Sequence, residues 1–180
     1  MSEQILETIE DQVIINFTGK INILGQENKQ HVGAILLIDG QLVNAKYLGS
    51  EGMKAFYNVC IDEHMGKKFD IIVEPEIIDQ RERKIDHPFS VLKRRMFEMI
   101  NKYKAALKNR PPNNLKLILV PDFVKGSDDV SREEYSLMCT MSDYNLVSDI
   151  YKKSPLLDYE ITNALVLLRK RNAIKVIQIK

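Results

Sequence analysis

Cysteine is scarce in this chain of 180 residues: Cys60 and Cys139 are the only two, and they lie too far apart for a metal-binding or redox spacing. That excludes a disulfide-built scaffold and leaves two free thiols, which suits a reducing cytoplasmic setting. Both cysteines are expected in helix cores. Long apolar runs are also absent. No stretch approaches the ~18 uninterrupted apolar residues of a membrane span, so insertion in a membrane is not expected. The opening MSEQILETIED lacks the basic start and apolar block of a signal peptide. Net charge is missing too: 26 Lys and Arg stand against 25 Asp and Glu, with a pI near 7.7. The overall basic footprint of a nucleic-acid binder is therefore lacking.

Catalytic patterns are equally sparse. His31, His64 and His87 fall in expected loops with no second ligand at helical or hairpin spacing, and read as surface residues. Lys125-Gly126-Ser127 lacks the upstream glycine and the strand–loop–helix setting of a phosphate loop. Asp128-Asp129 beside Glu133-Glu134 does not follow the calcium-loop pattern and reads as a cap and a solvated loop. Arg81 and Arg83 in QRER could at most hold a phosphate or nucleotide. Spacing brings no Ser–His–Asp set and no carboxylate pair together. The expectation is a protein that is not an enzyme and carries no cofactor or metal.

What is present is a globular composition, 44% hydrophobic and 28% charged, enough for one large domain or two small ones. Charge is unevenly spread. Residues 1–80 hold 6 basic and 13 acidic residues, residues 81–110 hold 10 and 3, and residues 111–180 hold 10 and 9. An acidic front, a basic bridge and a near-neutral back predict modules at 1–80, 81–112 and 113–180, with the joint in the polar stretch Glu74–Asp86.

In the front, Leu6, Ile9, Val13 and Phe17 recur on one helical face and predict a helix over roughly 3–17, stopped by Thr18-Gly19. KINIL reads as a strand. GAILLI, Asp39-Gly40 and QLVNAKY read as a tight hairpin, with Val43 and Ala45 alternating against Asn44 and Lys46. Ser50 is the expected N-cap of the next helix, with Met53, Phe56, Tyr57 and Cys60 as its buried stripe and Gly66 as its stop. KFDIIV closes the module as a strand. The order predicts an α+β fold on a small antiparallel sheet.

TGKINIL, GAILLIDGQLVNAKYLGSEGMKAFYNV and KKFDIIVEPEI together resemble the PATAN domain, also called DUF4388, over residues 3–79. Ala55-Phe56 stands where that family usually has Ala-Leu, and the tryptophan often found near the helix end is missing. The resemblance implies a protein-interaction module without catalysis, of the kind found in bacterial response-regulator and motility-signalling proteins. It supplies no catalytic residues.

The bridge, Ser90–Asn109, reads as a helix ended by Pro111-Pro112. Leu92, Met96, Met99, Tyr103 and Ala106 form a heptad seam, which serves either a core or a homodimer through Leu92, Met96, Met99 and Tyr103. Lys93, Arg94, Lys104 and Lys108 lie opposite, joined by Phe97, and form a candidate dock for an acidic partner or a phosphate.

Behind it, LKLILV reads as a strand or an extended covering segment. Ser131-Arg132-Glu133-Glu134 is a capping box. Asp143 and Asp158 are the expected caps of two further helices. The last carries an inward stripe of Ile161, Ala164, Leu165 and Leu168 and runs into a strand from Ala173 to Ile179. Three helices and a β segment look like a winged helix, a domain that often follows PATAN. The outer face of the third helix bears Tyr159, Asn163, Val166 and Lys170. Asp158 and Glu160 at its start would repel phosphates, so these four are candidate protein contacts. The leading expectation is a cytoplasmic bacterial signalling adaptor that binds another signalling protein. The alternatives are a DNA-binding winged-helix regulator and a nucleotide-responsive receptor.

Overall fold

Asp39-Gly40 turns strand β2 (His31–Ile38) into β3 (Gln41–Tyr47), and both turn residues take positive φ, 49° and 72°, as a type I′ hairpin requires. A Cβ on Gly40 would lie 2.8 Å from the Val13 carbonyl oxygen, so the turn also needs the missing side chain. The computed structural model describes residues 3–126 and 129–177. Ser127 and Asp128 of the two motifs weighed above, and Gln178 and Ile179 of the expected last strand, lie outside them.

The described chain is mixed α+β and forms two compact units, residues 1–101 and 102–180. The first holds α1 (Gln4–Ile14), β1 (Gly19–Gly25), β2, β3, a two-residue strand β4 (Ser50–Glu51), α2 (Gly52–His64), β5 (Phe69–Pro75) and a 3₁₀ turn at Gln80–Glu82. The strands form one antiparallel sheet in the order β4-β3-β2-β1-β5. Ile21, Ile23, Ile35 and Leu37 are fully buried, as are Ile5 and Ile9 of α1 and Phe56 and Val59 of α2. The opposite sheet face buries Ala34, Leu36, Ile38 and Val43 under Ile78.

Three local readings change. First, α1 ends at Ile14 rather than running to Phe17. Asn16 takes φ 54°, its N–H donates to Val13 O and that of Phe17 to Gln12 O, so the helix closes on an asparagine before Gly19 is reached. Gly66 closes α2 by the same pattern, as expected: its N–H donates to Glu63 O and that of Lys67 to Asp62 O.

Second, Val43 and Ala45 do not share a face. The register slips between Leu36 and Leu37, and the resulting bulge turns Val43 toward Leu36 and Ile78. Third, Ser50 is not a cap. It lies in β4, and the start of α2 is satisfied instead by Asn44, fully buried on β3. The Asn44 Oδ1 accepts from Gly52 N at 3.1 Å and from Ala45 N at 2.8 Å.

The stretch Glu74–Asp86, read from composition as a joint, lies within the first unit. Ile78 and Ile85 are buried, and Lys84 N and Ile85 N both donate to Val43 O. The division falls instead inside α3 (Phe89–Leu107), between Asn101 and Lys102.

The second unit holds the end of α3, β6 (Lys116–Leu119), α4 (Pro121–Gly126), α5 (Arg132–Asp143), α6 (Val147–Lys153), α7 (Asp158–Lys170) and β7 (Ile174–Ile177). β6 and β7 pair antiparallel, so the strand after the helices joins one that precedes them. Its core gathers Leu117, Leu137, Met141, Val147, Ile161 and Leu168. The Ser131–Glu134 capping box is present, with both bonds made.

Asp143 caps nothing: it ends α5, and α6 starts after Leu146. Asp158 is the first residue of α7 rather than its cap. Its carboxylate pairs at 2.8 Å with Arg110, whose guanidinium lies 4.1 Å from the Tyr151 ring centre. Cys60 is buried, but Cys139 is exposed, because Leu137, Met138 and Met141 take the inward face of α5. Of the histidines, His64 closes α2 and His31 opens β2 rather than lying in loops.

Candidate partner-binding surface

On α3, Leu92 and Met96 are fully buried. Neither has surface left to offer a second copy, and Met99 and Tyr103 are half-buried. With Leu92 and Met96 inward, helical spacing sets Lys93 and Phe97 side by side on the flank and Arg94 further out. α1 does the same in reverse: Ile5, Leu6 and Ile9 are buried, leaving Glu10, Val13 and Ile14 on its flank. Lys93 Nζ meets Glu10 Oε2 at 2.6 Å, which ties the two helices together.

A cleft of about 720 Å³ opens there. Its floor includes Leu42, Ile85 and Phe89, all buried; its walls include Ile14 and Phe97, which are 71% and 48% exposed. Arg83, Lys93 and Arg94 bring cations to the lining, Glu10 and Asp86 carboxylates, and His87 an imidazole. Lys93 is held by Glu10, and Arg83 donates to Gln41 Oε1 at 3.4 Å. Arg81 is exposed and lies outside this lining, whereas Arg83 is part of it.

Three of the expected contact residues thus converge, Lys93, Arg94 and Phe97. The others lie in the second unit. Lys104 is exposed on α3 and Lys108 just beyond it. Tyr159 and Asn163 line a hollow of about 290 Å³ with Ser131, Glu133, Glu160 and Leu167. Val166 and Lys170 are outside that lining, the first half-buried and the second exposed. Sequence reasoning missed Ile14, Ile85 and Phe89, and singled out Arg83 only beside Arg81 as a possible phosphate or nucleotide contact. Ile14 carried a signal: it lies off the Leu6–Ile9–Val13 stripe, where an apolar side chain has no place in the core.

The remaining polar clusters serve packing. Tyr47 donates to Asp62 Oδ2 at 2.6 Å, and Lys67 reaches both Tyr47 Oη and Asp62. Burial, with the Asp62 carboxylate beside it, pushes the Tyr47 phenol far above its ordinary range. Glu82 sits over Asn44 and Lys46, whose ammonium at 2.9 Å holds the carboxyl below its usual value.

Glu63 accepts from Ile5 N at 3.2 and 3.3 Å and so caps α1 from α2. Burial pushes its carboxyl up to about 7 against those backbone donors, with Glu3 and Glu7 adding to the rise. Burial likewise pushes the Cys60 thiol up, away from the thiolate a nucleophile needs. Among the described residues no group of three or more His, Cys, Asp or Glu could hold a metal ion, and no helix is long and apolar enough to cross a membrane.

No family model, no curated protein and no solved structure matches the chain.

Proposed function

We propose that this protein is a non-catalytic adaptor of bacterial signalling that works by holding another protein. The observation that carries the reading is the cleft between α1 and α3, where exposed Ile14 and Phe97 stand over an apolar floor with cations at the lining. A large side chain left in water beside a concavity, while the core of the same unit is well filled, is the arrangement of an interaction surface. The resemblance of residues 3–79 to PATAN agrees with it, and the strand–hairpin–helix–strand order supports that resemblance. The succession α5, α6, α7, β7 supports the winged-helix likeness of the second unit, with β6 standing where a following strand of the wing would pair. In the first turn of α7 the Glu160 carboxylate favours protein over DNA as what that helix meets, while that of Asp158 is paired with Arg110.

The test is affinity capture from the source cells with the wild-type chain and with Phe97→Ala. The wild type is expected to retain a specific protein that the variant loses, while its melting temperature stays nearly unchanged because Phe97 is half in solvent. Equal recovery by both would remove the cleft from the account.

A further inference from the structure

The occupant of the α1/α3 cleft can be described further, and this inference rests on the adaptor reading. We infer that the cleft receives an amphipathic helical segment of a partner protein, with apolar anchors on one side and carboxylates flanking them. Three observations converge on that chemistry.

The first is shape. Leu42, Ile85 and Phe89 make a buried apolar floor, Ile14 and Phe97 rise beside it, and about 720 Å³ is open between them. That is room for several large side chains, enough for those a helix presents at i, i+4 and i+7.

The second is what the cleft does not offer. A peptide bound as an added strand needs free backbone donors and acceptors on a sheet edge. β3 reaches the lining with Gln41 and Leu42, and at the next residue the Val43 carbonyl already accepts from both Lys84 N and Ile85 N, at 2.8 and 2.9 Å. That edge is covered beside the cleft, which favours recognition through side chains.

The third is charge. The first unit is acidic as a whole, with 12 Lys and Arg against 16 Asp and Glu. At the cleft the balance reverses by one charge: Arg83, Lys93 and Arg94 line it with Glu10 and Asp86, and the pairing of Lys93 with Glu10 leaves Arg83 and Arg94 against Asp86. Carboxylates on the segment would meet a small cationic excess here and an acidic excess over the rest of the unit. That steers the segment into the cleft and fixes its orientation, more than it adds affinity.

The experiment is selection of a phage-displayed library of helical peptides on the full chain, followed by titration of enriched peptides against the wild type, Phe97→Ala and the pair Arg83→Glu with Arg94→Glu. Enriched peptides are expected to share an i, i+4, i+7 apolar stripe and to carry more Asp and Glu than Lys and Arg. Phe97→Ala is expected to weaken them about tenfold. The charge-reversed pair is expected to weaken them by a similar factor, and less so as salt rises.

Enrichment of Lys- and Arg-rich peptides, or peptides whose binding ignores all three substitutions, overturns the inference. So does concentration-dependent self-association of the chain that Phe97→Ala abolishes, since the occupant is then a second copy. If cellular capture depends on Phe97 while selected peptides show no acidic preference, the adaptor reading stands and this inference falls. If acidic peptides bind at Phe97 but the chain captures no protein from its cells, the adaptor reading falls and takes this inference with it.

Discussion

The two units treat their surplus apolar side chains differently. In the first, Ile15, Leu48, Met65, Ile72 and Ile77 are likewise scattered in solvent, but Ile14 and Phe97 are exposed on neighbouring helix flanks and together frame a cleft with cations at its lining. In the second, Tyr135, Leu167, Val124 and Val176 are exposed on different elements, and the hollow at the start of α7 is less than half the volume, with Glu133 and Glu160 among its lining residues. The lesson concerns charge runs. The cations of residues 81–110 looked like one continuous face, yet only those near Phe97 meet an apolar concavity. A solvated cation contributes little on its own; its value to a partner comes from the apolar contact it stands beside.

The comparison is sharpened first by asking what holds the floor of the first unit in place. Asn44 links β3 to the start of α2 and is fully buried. Asn44→Ala strands the N–H groups of Ala45 and Gly52 and is expected to cost about 2–3 kcal/mol in urea unfolding. Ser50→Ala, at the cap position the sequence suggests, is expected to change stability by less than about 0.5 kcal/mol. Equal costs would mean that α2 is capped from its own sequence after all.

A smaller effect bears on α1, which forms one wall of the cleft. Glu63 binds its proton more tightly in the folded chain, near 7 against an ordinary 4.5. Its contribution therefore favours folding fully below about pH 4.5, declines as pH rises, and is gone above about pH 7. Glu63→Gln keeps an acceptor for Ile5 N and removes the buried charge. Because the carboxyl is only about half-buried, the expected gain at pH 8 is on the order of 1 kcal/mol after discounting for solvent. The check is thermal melting of both proteins from pH 5 to 8: the variant's curve should be flatter across the region near 7. Parallel curves would place the Glu63 charge in solvent and free the α1 start from this linkage.

How much was legible follows the range of the interactions. The Asp39-Gly40 hairpin, the Ser131–Glu134 capping box and the Ile161–Leu168 stripe depend on residues a few positions apart, and all three are found as read. The alternation of Val43 and Ala45 with Asn44 and Lys46 does not reveal the bulge, nor that Asn44 is buried as a cap. Its partners, Gly52 and Glu82, lie 8 and 38 residues away. Arg110 and Asp158, 48 residues apart, were read separately as part of a charge run and as a cap. The cleft was legible only from one side: the phase of α3 marked Lys93, Arg94 and Phe97, while Ile14, Arg83 and Ile85 join them only through tertiary packing.

The most direct measurement places a photo-crosslinking amino acid at Phe97 in one version of the chain and at Asn163 in another, and irradiates the source cells expressing each. The account predicts one discrete adduct with a second protein from position 97 and a weaker or absent adduct from position 163. A discrete adduct from 163 with none from 97 would contradict it.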